Sequence, residues 1–458
     1  AGLAPGNEDM HPQTVPVHGV AQLAWALAVL LVTVSGCEGG ERSSSSGRTC
    51  VGLKDALHML QATVVGHPSD LAPPTRTDRA EGGVAAEGEA RRLARMAQAT
   101  AAAEELALRR HAESPLVYGS GDSGARSALS AKFYVYGGLD WLAMKCEGIP
   151  IGDVFRTGKM HAKHSDDYWF LRAAMSHPLR TEDPEKAELF VVPALLNVLS
   201  DTWFWSHMQC CIGDLCNDDL LSYVEDMLAE SPWFKRSEGR DHVIVMSHYA
   251  TMGYVVEPDY SRVLKCNSIS FAENSMQGGR CHIAKMYGGV RCDHMSKKFA
   301  FGMVAALRPK RARFRARRDI CSWLHDLSEH NTSYSFSSCG EGEQCPALAL
   351  AKFGFHVRGD TWGSQRPVDA ILSGTVPMFT DEKQYEIVPP WLPWRNVSVL
   401  IDISDEAHFE ASLRESLPRY EAVKAAMDAW ASSVDWEVGG PFEPFMGAFQ
   451  QCAKQLAA

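Results

Sequence analysis

No CxxC pair occurs among the 13 cysteines of this chain. That absence removes the commonest zinc and redox spacings. The tightest cluster is Cys210, Cys211 and Cys216, with His207 nearby. Two adjacent cysteines rarely serve one tetrahedral ion, so this spacing fits no usual zinc template. Many cysteines without a metal spacing point to disulfides formed in a secretory lumen. The count is odd, which leaves at least one thiol unpaired, and Cys37 is the natural candidate. Positive charge is also short: 45 Lys and Arg stand against 56 Asp and Glu, a formal net charge of -11. Sequence-blind binding to nucleic acid is therefore excluded. Long apolar runs are absent apart from one near the start, which excludes a polytopic membrane protein. There is no internal repeat.

What is present suits a globular protein. Hydrophobic residues make up 45% and charged residues 22%, and 12 Trp and 18 Phe allow a sizeable core. At 458 residues the chain has room for two to three domains, at roughly 100–200 residues each.

The apolar run is Val15 to Val34. It is long enough for a short membrane helix or a signal-peptide core. No Lys or Arg precedes it, so charge does not set its orientation. VSGC at Val34–Cys37 also has the form of a lipoprotein cleavage box. Residues 1–36 are thus expected to be a flank with a signal anchor or signal peptide. Residues 37–130 read as a stem. Gly39 to Thr49 is Ser/Gly-rich linker, and residues 80–112 are dominated by Ala, Arg and Glu without bulky heptads.

From about Lys132 the pattern changes. Apolar runs at Phe133–Tyr136, Glu188–Ala194, Asp241–His248, Lys298–Ala305, Lys352–Val357, Val376–Thr380 and Val397–Asp402 read as strands. Asp218–Glu230 and Pro367–Gly374 read as helices between them. Strands alternating with helices predict an α/β protein with parallel sheets. Two units are expected, 131–295 and 296–458, because KFAFG restarts the pattern near residue 298.

The most informative stretch is Phe353 to Asp381. It reads as strand, Gly-punctuated polar loop, helix, Gly turn and strand. Its loop holds Arg358, Gly359, Asp360, Gly363, Ser364 and Arg366, and the helix start carries Asp369. Glycines let backbone approach a ligand, while arginine forks and a helix N-terminus suit phosphate. Ligands of open α/β sheets bind at the carboxyl ends of the strands, where this loop lies.

These residues, in the order RGD-x3-S-x-R-x2-DAI-x2-G-x-VPM, resemble the signature of exostosin-like glycosyltransferases. Thr375 stands where that family usually has Cys, and Gln365 where plant members often have Arg. The resemblance continues upstream. FYVY at Phe133 is similar to the family's opening strand, and Ser176–Ala194 to its segment ending in F-x-V-P. The stretch Ser222 to His248 resembles its P-x-W-x-R-x-x-G-x-D-H…S-H segment. KFAFG with Arg317 and Arg318 is similar to its F-x-G strand and later Arg. The matches run over about residues 132–410.

The resemblance implies two Rossmann-like domains facing across a cleft, a GT-B-like arrangement, preceded by the apolar segment and stem. It implies inverting transfer of a sugar from a nucleotide-diphosphate donor, expected to be UDP-linked, to a glycan or glycoprotein acceptor. It implies no essential metal and no cofactor beyond that co-substrate. The sequence agrees in having no Asp-x-Asp in a strand-end loop. Asp166-Asp167 and Asp218-Asp219 read as solvated helix acids or caps.

Inverting transfer needs a base for the acceptor hydroxyl and positive charge on the leaving diphosphate. Arg358 and Arg366 are expected to stabilise the diphosphate, helped by Gly359, Asp360, Ser364 and the helix N-terminus. Asp369 is assigned to the ribose or donor sugar. Arg318 joins the donor set through the resemblance. His248, at the carboxyl end of its strand, is the expected base, and Asp140, after the first strand, the alternative. His161 and His164 lie in the same acceptor-side region.

The run Arg308–Arg318 has seven Lys or Arg in 11 residues. It reads either as solvated surface or as a contact for an anionic acceptor. Two sequons, at Asn331 and Asn396, add weak support for a lumenal location. The expected place is the Golgi membrane, type II, with a lumenal catalytic part; secretion or residence in the ER is the alternative. A complex with another transferase fits this class. The contrasting reading is a catalytically inactive exostosin-like scaffold or glycan-binding subunit. Cys281 with Cys292, and Cys339 with Cys345, are the preferred disulfide pairs, enclosing short Gly-containing loops.

Overall fold

The structure, a computed structural model, describes residues 116–117 and 129–457, apart from 158, 161, 249–250, 252–254, 256–261, 272–280, 286–287, 290, 360–361 and 390. The apolar run, the linker, most of the stem, Cys37, His161 and Asp360 lie outside the described residues.

Two all-parallel sheets carry the fold. In chain order the strands are β1 (Leu116–Val117), β2 (Phe133–Val135), β3 (Lys145–Cys146), β4 (Ile149–Pro150), β5 (Leu189–Val191), β6 (Cys210–Ile212), β7 (Leu215–Cys216) and β8 (His242–Met246). They continue as β9 (Asn267–Phe271), β10 (Cys281–Lys285), β11 (Phe299–Val304), β12 (Phe336–Gly340), β13 (Ala351–His356), β14 (Val376–Phe379) and β15 (Val399–Leu400). The first sheet has six strands ordered β1-β10-β9-β8-β5-β2, and the second has five, ordered β12-β11-β13-β14-β15. A small antiparallel sheet, β4-β3-β6-β7, stands beside the first. Both large sheets belong to one compact unit, residues 102–458.

Each run expected to be a strand is one. The reason is visible in β8, where His-Val-Ile-Val-Met is buried at all five positions. Helices on both faces of a parallel sheet leave no polar face, so its strands read as continuous apolar runs. The second sheet packs through Phe301, whose ring lies 5.8 Å from that of Phe353 and 5.7 Å from that of Phe355.

Six helices matter below: α1 (Asp166–Ser176), α2 (Asp218–Glu230), α3 (Arg315–His330), α4 (Gln344–Leu350), α5 (Arg366–Leu372) and α6 (Phe442–Ala457). In α2, Leu220, Leu221, Val224 and Leu228 recur at helical spacing and are buried. Asp218 and Asp219 are exposed in its first turn, where carboxylates favour the helix dipole. The helix stops at Ser231, whose hydroxyl accepts the Phe234 N–H and caps the next turn, with Pro232 in its first position.

The chain leaves the first sheet after Lys285 and enters the second at Phe299. It finally returns to the first. Helix α6 packs against β10 and α1. Its Gln450 Oε1 accepts the N–H groups of Ser130 at 2.9 Å and Ala131 at 3.1 Å, and Phe442 sets its ring 4.9 Å from Phe170.

The disulfides form, with partners other than those expected. Cys281 bonds Cys452, Cys292 bonds Cys345 and Cys321 bonds Cys339, alongside Cys146–Cys210 and Cys211–Cys216. Proximity in sequence misleads here. Cys281 opens β10, which carries the chain away from it at roughly 3.3 Å per residue, so Cys292 is out of reach and α6 supplies the partner. Cys339 lies on β12, which pairs with the helix packed beside it, α3, through Cys321. Cys345, on α4, takes Cys292 from the link between the sheets. Cys210, Cys211 and Cys216 are consumed in bonds and offer no thiolate to zinc. Among the described residues Cys266 is the free thiol, and it is buried.

Candidate functional site

The loop after β13 carries the donor-type residues, and its shape is set by a histidine the sequence reading overlooked. His356, the last residue of β13, is buried. Its Nε2 lies 3.0 Å from the Trp362 carbonyl, and its Nδ1 lies 3.2 Å from Ser364 Oγ. A carbonyl can only accept, so Nε2 carries the hydrogen and Nδ1 receives the Ser364 O–H. Burial, reinforced by the positive charge of Arg366, pushes this imidazole down to about 3, so it is neutral. Ser364 Oγ in turn accepts the Arg366 N–H at 3.2 Å.

Arg366 opens α5 and is partly buried. Its Nε donates to the Val304 carbonyl at 2.6 Å, at the end of β11. Among the described residues its two Nη groups make no other hydrogen bond. Burial lowers its pKa, and Asp369 opposes that shift. Asp369 is fully buried in the first turn of α5 and accepts a hydrogen bond from Gln344 Nε2. Gln365, not Asp369, is the capping position.

Gly359 is required by packing. A Cβ there would lie 2.4 Å from Arg317 Nη2. Arg317 is buried and donates to the carbonyls of Ala306 at 3.0 Å and Val357 at 3.1 Å, tying the loops after β11 and β13 together. Arg318 turns the other way, its Nη1 donating to the carbonyls of Leu307, Arg308 and Arg311. Arg358 is exposed, with its guanidinium 4.1 Å from the Trp362 ring centre. Thr375 is used structurally. Its Oγ1 donates to Leu348 at 2.5 Å and receives Lys297 Nζ at 2.8 Å.

The first sheet contributes a second group. His248 follows β8 and is fully buried, and its N–H donates to Asn197 Oδ1 at 2.8 Å. Its Nε2 lies 3.7 Å from Asp201 Oδ1, and its ring centre is 4.1 Å from that of His164. Burial lowers the His248 pKa against the pull of Asp201. His164, Asp201 and His248 place their ligand-type atoms within 4.8 Å of one another, a grouping with the dimensions of a metal site. Asp140 is elsewhere. It is exposed and caps the turn Trp141–Ala143 by accepting the Leu142 N–H at 3.2 Å.

Behind His248 lies a buried polar network. Asp166 and Asp167 are buried at the start of α1, not solvated as expected. Lys285 Nζ lies 2.7 Å from Asp166 Oδ2, which also receives the Ser247 O–H. Asn197 Nδ2 donates to Ser247 Oγ at 2.8 Å, and Asp167 Oδ2 accepts the N–H groups of Asn197 at 2.8 Å and Val198 at 3.3 Å. Paired acids at a helix N-terminus facing a buried lysine satisfy one another's charge. Burial, then the neighbouring Asp166, still raises the Asp167 pKa well above the carboxylate range.

The two groups meet. The Gly288 N–H donates to the Lys163 carbonyl at 3.1 Å. The next residue, Gly289, is so tight against α5 that a Cβ would lie 2.6 Å from Val368 and 3.1 Å from the Asp369 nitrogen. Burial lowers the Lys163 pKa, Asp201 and Asp369 oppose the shift and Arg366 adds to it. One ammonium therefore senses the His248 cluster and the start of α5 together. The Gly288-Gly289 pair was the sequence signal for this junction.

A search among curated proteins finds no match. The Exostosin GT47 domain matches residues 132–415. That span holds the whole second sheet and every strand of the first except β1, with their strand-end loops, and covers well over half of the chain, which belongs to this glycosyltransferase family.

Proposed function

We propose that the protein transfers a sugar from a UDP-linked donor to a glycan acceptor with inversion, in a cleft between two Rossmann-like halves, residues 131–295 and 296–458. The junction at Lys163 is the observation that carries this reading. There the Gly288 N–H meets the Lys163 carbonyl, next to His164 of the His-Asp group, while Gly289 packs on the helix that carries Arg366 and Asp369.

In this reading the diphosphate sits over the N-terminus of α5. Arg366 and Arg358 meet its oxygens, with Gly359 and Ser364 shaping the loop and Asp369 binding the ribose or donor sugar. Asp360 and Arg318 complete the donor side, Arg318 by holding the neighbouring loop. His248 takes the proton from the acceptor hydroxyl, and Asp201 balances the charge it gains. The acceptor oxygen then bonds to the anomeric carbon, the bond to the diphosphate oxygen breaks, and UDP leaves. Side-chain cations supply the positive charge that the leaving group needs, so the proposal includes no metal or cofactor. Asp140, exposed and engaged in capping, is the lesser candidate for the base.

Five disulfides support a lumenal location, and the proposal places the chain in the Golgi as a type II membrane protein. The test is a panel of UDP-sugars, scored for hydrolysis and for transfer to mixed glycans. Turnover of one donor is expected. UDP binding with no turnover of any donor would favour the non-catalytic scaffold.

A further inference from the structure

The link between the two sheets ends in a cage of oxygens around one lysine. Lys297, two residues before β11, is half-buried. Its Nζ donates to Thr375 Oγ1 at 2.8 Å and to the carbonyls of Ser373 at 2.9 Å, Ala349 at 3.0 Å and Leu348 at 3.3 Å. An ammonium has three hydrogens to give, so the charged form fills this set of acceptors. Burial, then the neighbouring Lys424, lowers its pKa to about 8 against the pull of Asp428, which leaves it charged at neutral pH.

The acceptors belong to two helix ends. Leu348 and Ala349 lie in the last turn of α4, and Ser373 is the residue on which α5 stops. The last carbonyls of a helix have no partner within it and carry its negative partial charge. The helices run in the same direction, because their first turns also meet. Gln344, the first residue of α4, donates to Asp369 of α5, and Gln365 Nε2 donates to Gln344 Oε1 at 3.3 Å. Parallel helix dipoles repel, and a cation where both C-terminal ends converge offsets that repulsion. The link adds two more ties: His294 Nε2 donates to the Leu372 carbonyl at 3.1 Å, and Cys292 bonds Cys345 of α4. Helix α5 has seven residues, a rod of about 10 Å at 1.5 Å per residue. Holding its C-terminal end therefore sets where Arg366 projects at the other.

We propose that Lys297 is a positioning residue of the donor site: by clamping the C-terminal ends of α4 and α5 together, it fixes the rod from which Arg366 and Asp369 project. It acts through that rod and touches no ligand. Thr375 is its counterpart. Its hydroxyl gives its own hydrogen to the Leu348 carbonyl and so presents a lone pair to the ammonium. The donor role rests on the transferase reading above; the clamp does not.

The test uses the full chain, UDP as the probe and temperatures well below melting. Lys297→Met removes the charge and the donors at nearly equal length. Hydrogen exchange of the α5 amides is expected to rise, and UDP affinity to fall about tenfold, as for one weakened charge-assisted contact. Turnover of a UDP-sugar should fall by roughly ten- to a hundredfold, the cost of a small displacement at the reacting groups, with the KM for the glycan acceptor unchanged. UDP affinity of the unaltered protein should also weaken as pH rises through about 8, and Lys297→Met should lack that step. Lys424 and Asp428, on the helix Tyr420–Asp428, and His294, on the link, are the titratable groups around Lys297 among the described residues; they are present in both proteins, so the difference isolates Lys297. Thr375→Val should repeat part of the loss and Thr375→Ser, which keeps the hydroxyl, should not. Should Lys297→Met fold poorly, that pair decides. Unchanged exchange at α5, or a loosened α5 with full UDP affinity and turnover, would overturn the proposal. Absence of UDP binding by the unaltered protein would instead remove the transferase reading, and the exchange measurement would still decide the clamp.

Discussion

Ser364 Oγ lies 3.2 Å from Nδ1 of His356 while accepting the backbone N–H of Arg366 at 3.2 Å. A neutral imidazole thus holds the turn from which the donor-side arginine projects. Burial keeps this ring deprotonated in the folded protein down to about pH 3. The unfolded chain takes a proton there near pH 6.5. Acid therefore favours unfolding, and this contribution to stability is full above about pH 6.5 and falls below it, by up to about 1.4 kcal/mol per pH unit. His242 and His248, also lowered by burial, act in the same sense, while Asp167, raised by burial, opposes them. Comparing His356→Gln with the unaltered protein isolates the one ring. The variant should be less stable at pH 7.5 and show a shallower loss of melting temperature between pH 6.5 and 5. Parallel slopes in the two proteins would refute the assignment.

Arg366 is held through Nε to Val304, and among the described residues its two Nη groups make no other hydrogen bond. Charge on the leaving diphosphate grows as the glycosidic bond breaks, so a contact there strengthens toward the transition state. Arg366→Ala is expected to lower turnover by on the order of a hundred- to a thousandfold. Stability should fall as well, by about 1 kcal/mol for the lost bond to Val304. Arg366→Lys restores charge without the planar fork and should recover only part of the rate. A variant that melts earlier but turns over normally per folded molecule would make Arg366 purely structural.

What the sequence made legible follows from burial on both faces. The strands FYV, LFV, HVIVM and FAFGMV are apolar runs because parallel sheets have no wet side. Strands β9, β10 and β12 read as NSISF, CHIAK and FSSCG, and are not legible as apolar runs because Asn, Ser, Cys, His and Lys interrupt them. Asn267, for one, is buried with its Nδ2 on the Arg240 carbonyl at 2.7 Å. The donor loop was visible because Gly, Ser and Arg cluster within one short stretch. Lys163 and Asp201 were not, since each acquires its role from residues far away in the chain, and His356 was not, since as the last residue of its strand it reads as part of an apolar run. The motif residues Asp241 and His242 prove structural, His242 joining Asp241 at 2.7 Å and the Tyr136 hydroxyl at 2.7 Å.

The group of His164, Asp201 and His248 permits two chemistries, a base with its balancing carboxylate or a bound metal ion. The proposed reaction uses the first. His248→Ala should then cost about a hundredfold or more in turnover, and Asp201→Asn less, with donor KM nearly unchanged in both. Extended treatment with a strong chelator should leave activity and melting temperature unaltered, and metal analysis of the purified protein should return no stoichiometric ion. Loss of activity on chelation, restored by one divalent metal and abolished in His164→Ala, would reassign all three residues as ligands and remove His248 as the base.

The return of α6 to the first sheet makes the chain's last turn part of the fold. The Cys281–Cys452 bond closes a span of 171 residues that contains the whole second sheet. Loop-closure entropy for so long a span puts its contribution at about 5 kcal/mol as an upper bound. Gln450 adds two hydrogen bonds to the backbone at Ser130 and Ala131. Replacing both cysteines by serine should lower the melting temperature markedly while leaving UDP affinity intact at low temperature, because neither cysteine belongs to the proposed donor site. Deleting residues 442–458 removes the bond, the Gln450 contacts and the Phe442 packing on Phe133 and Phe170 together, and should prevent soluble expression. A truncated protein that folds and melts like the full chain would mean that α6 is peripheral and that the first sheet is complete without it.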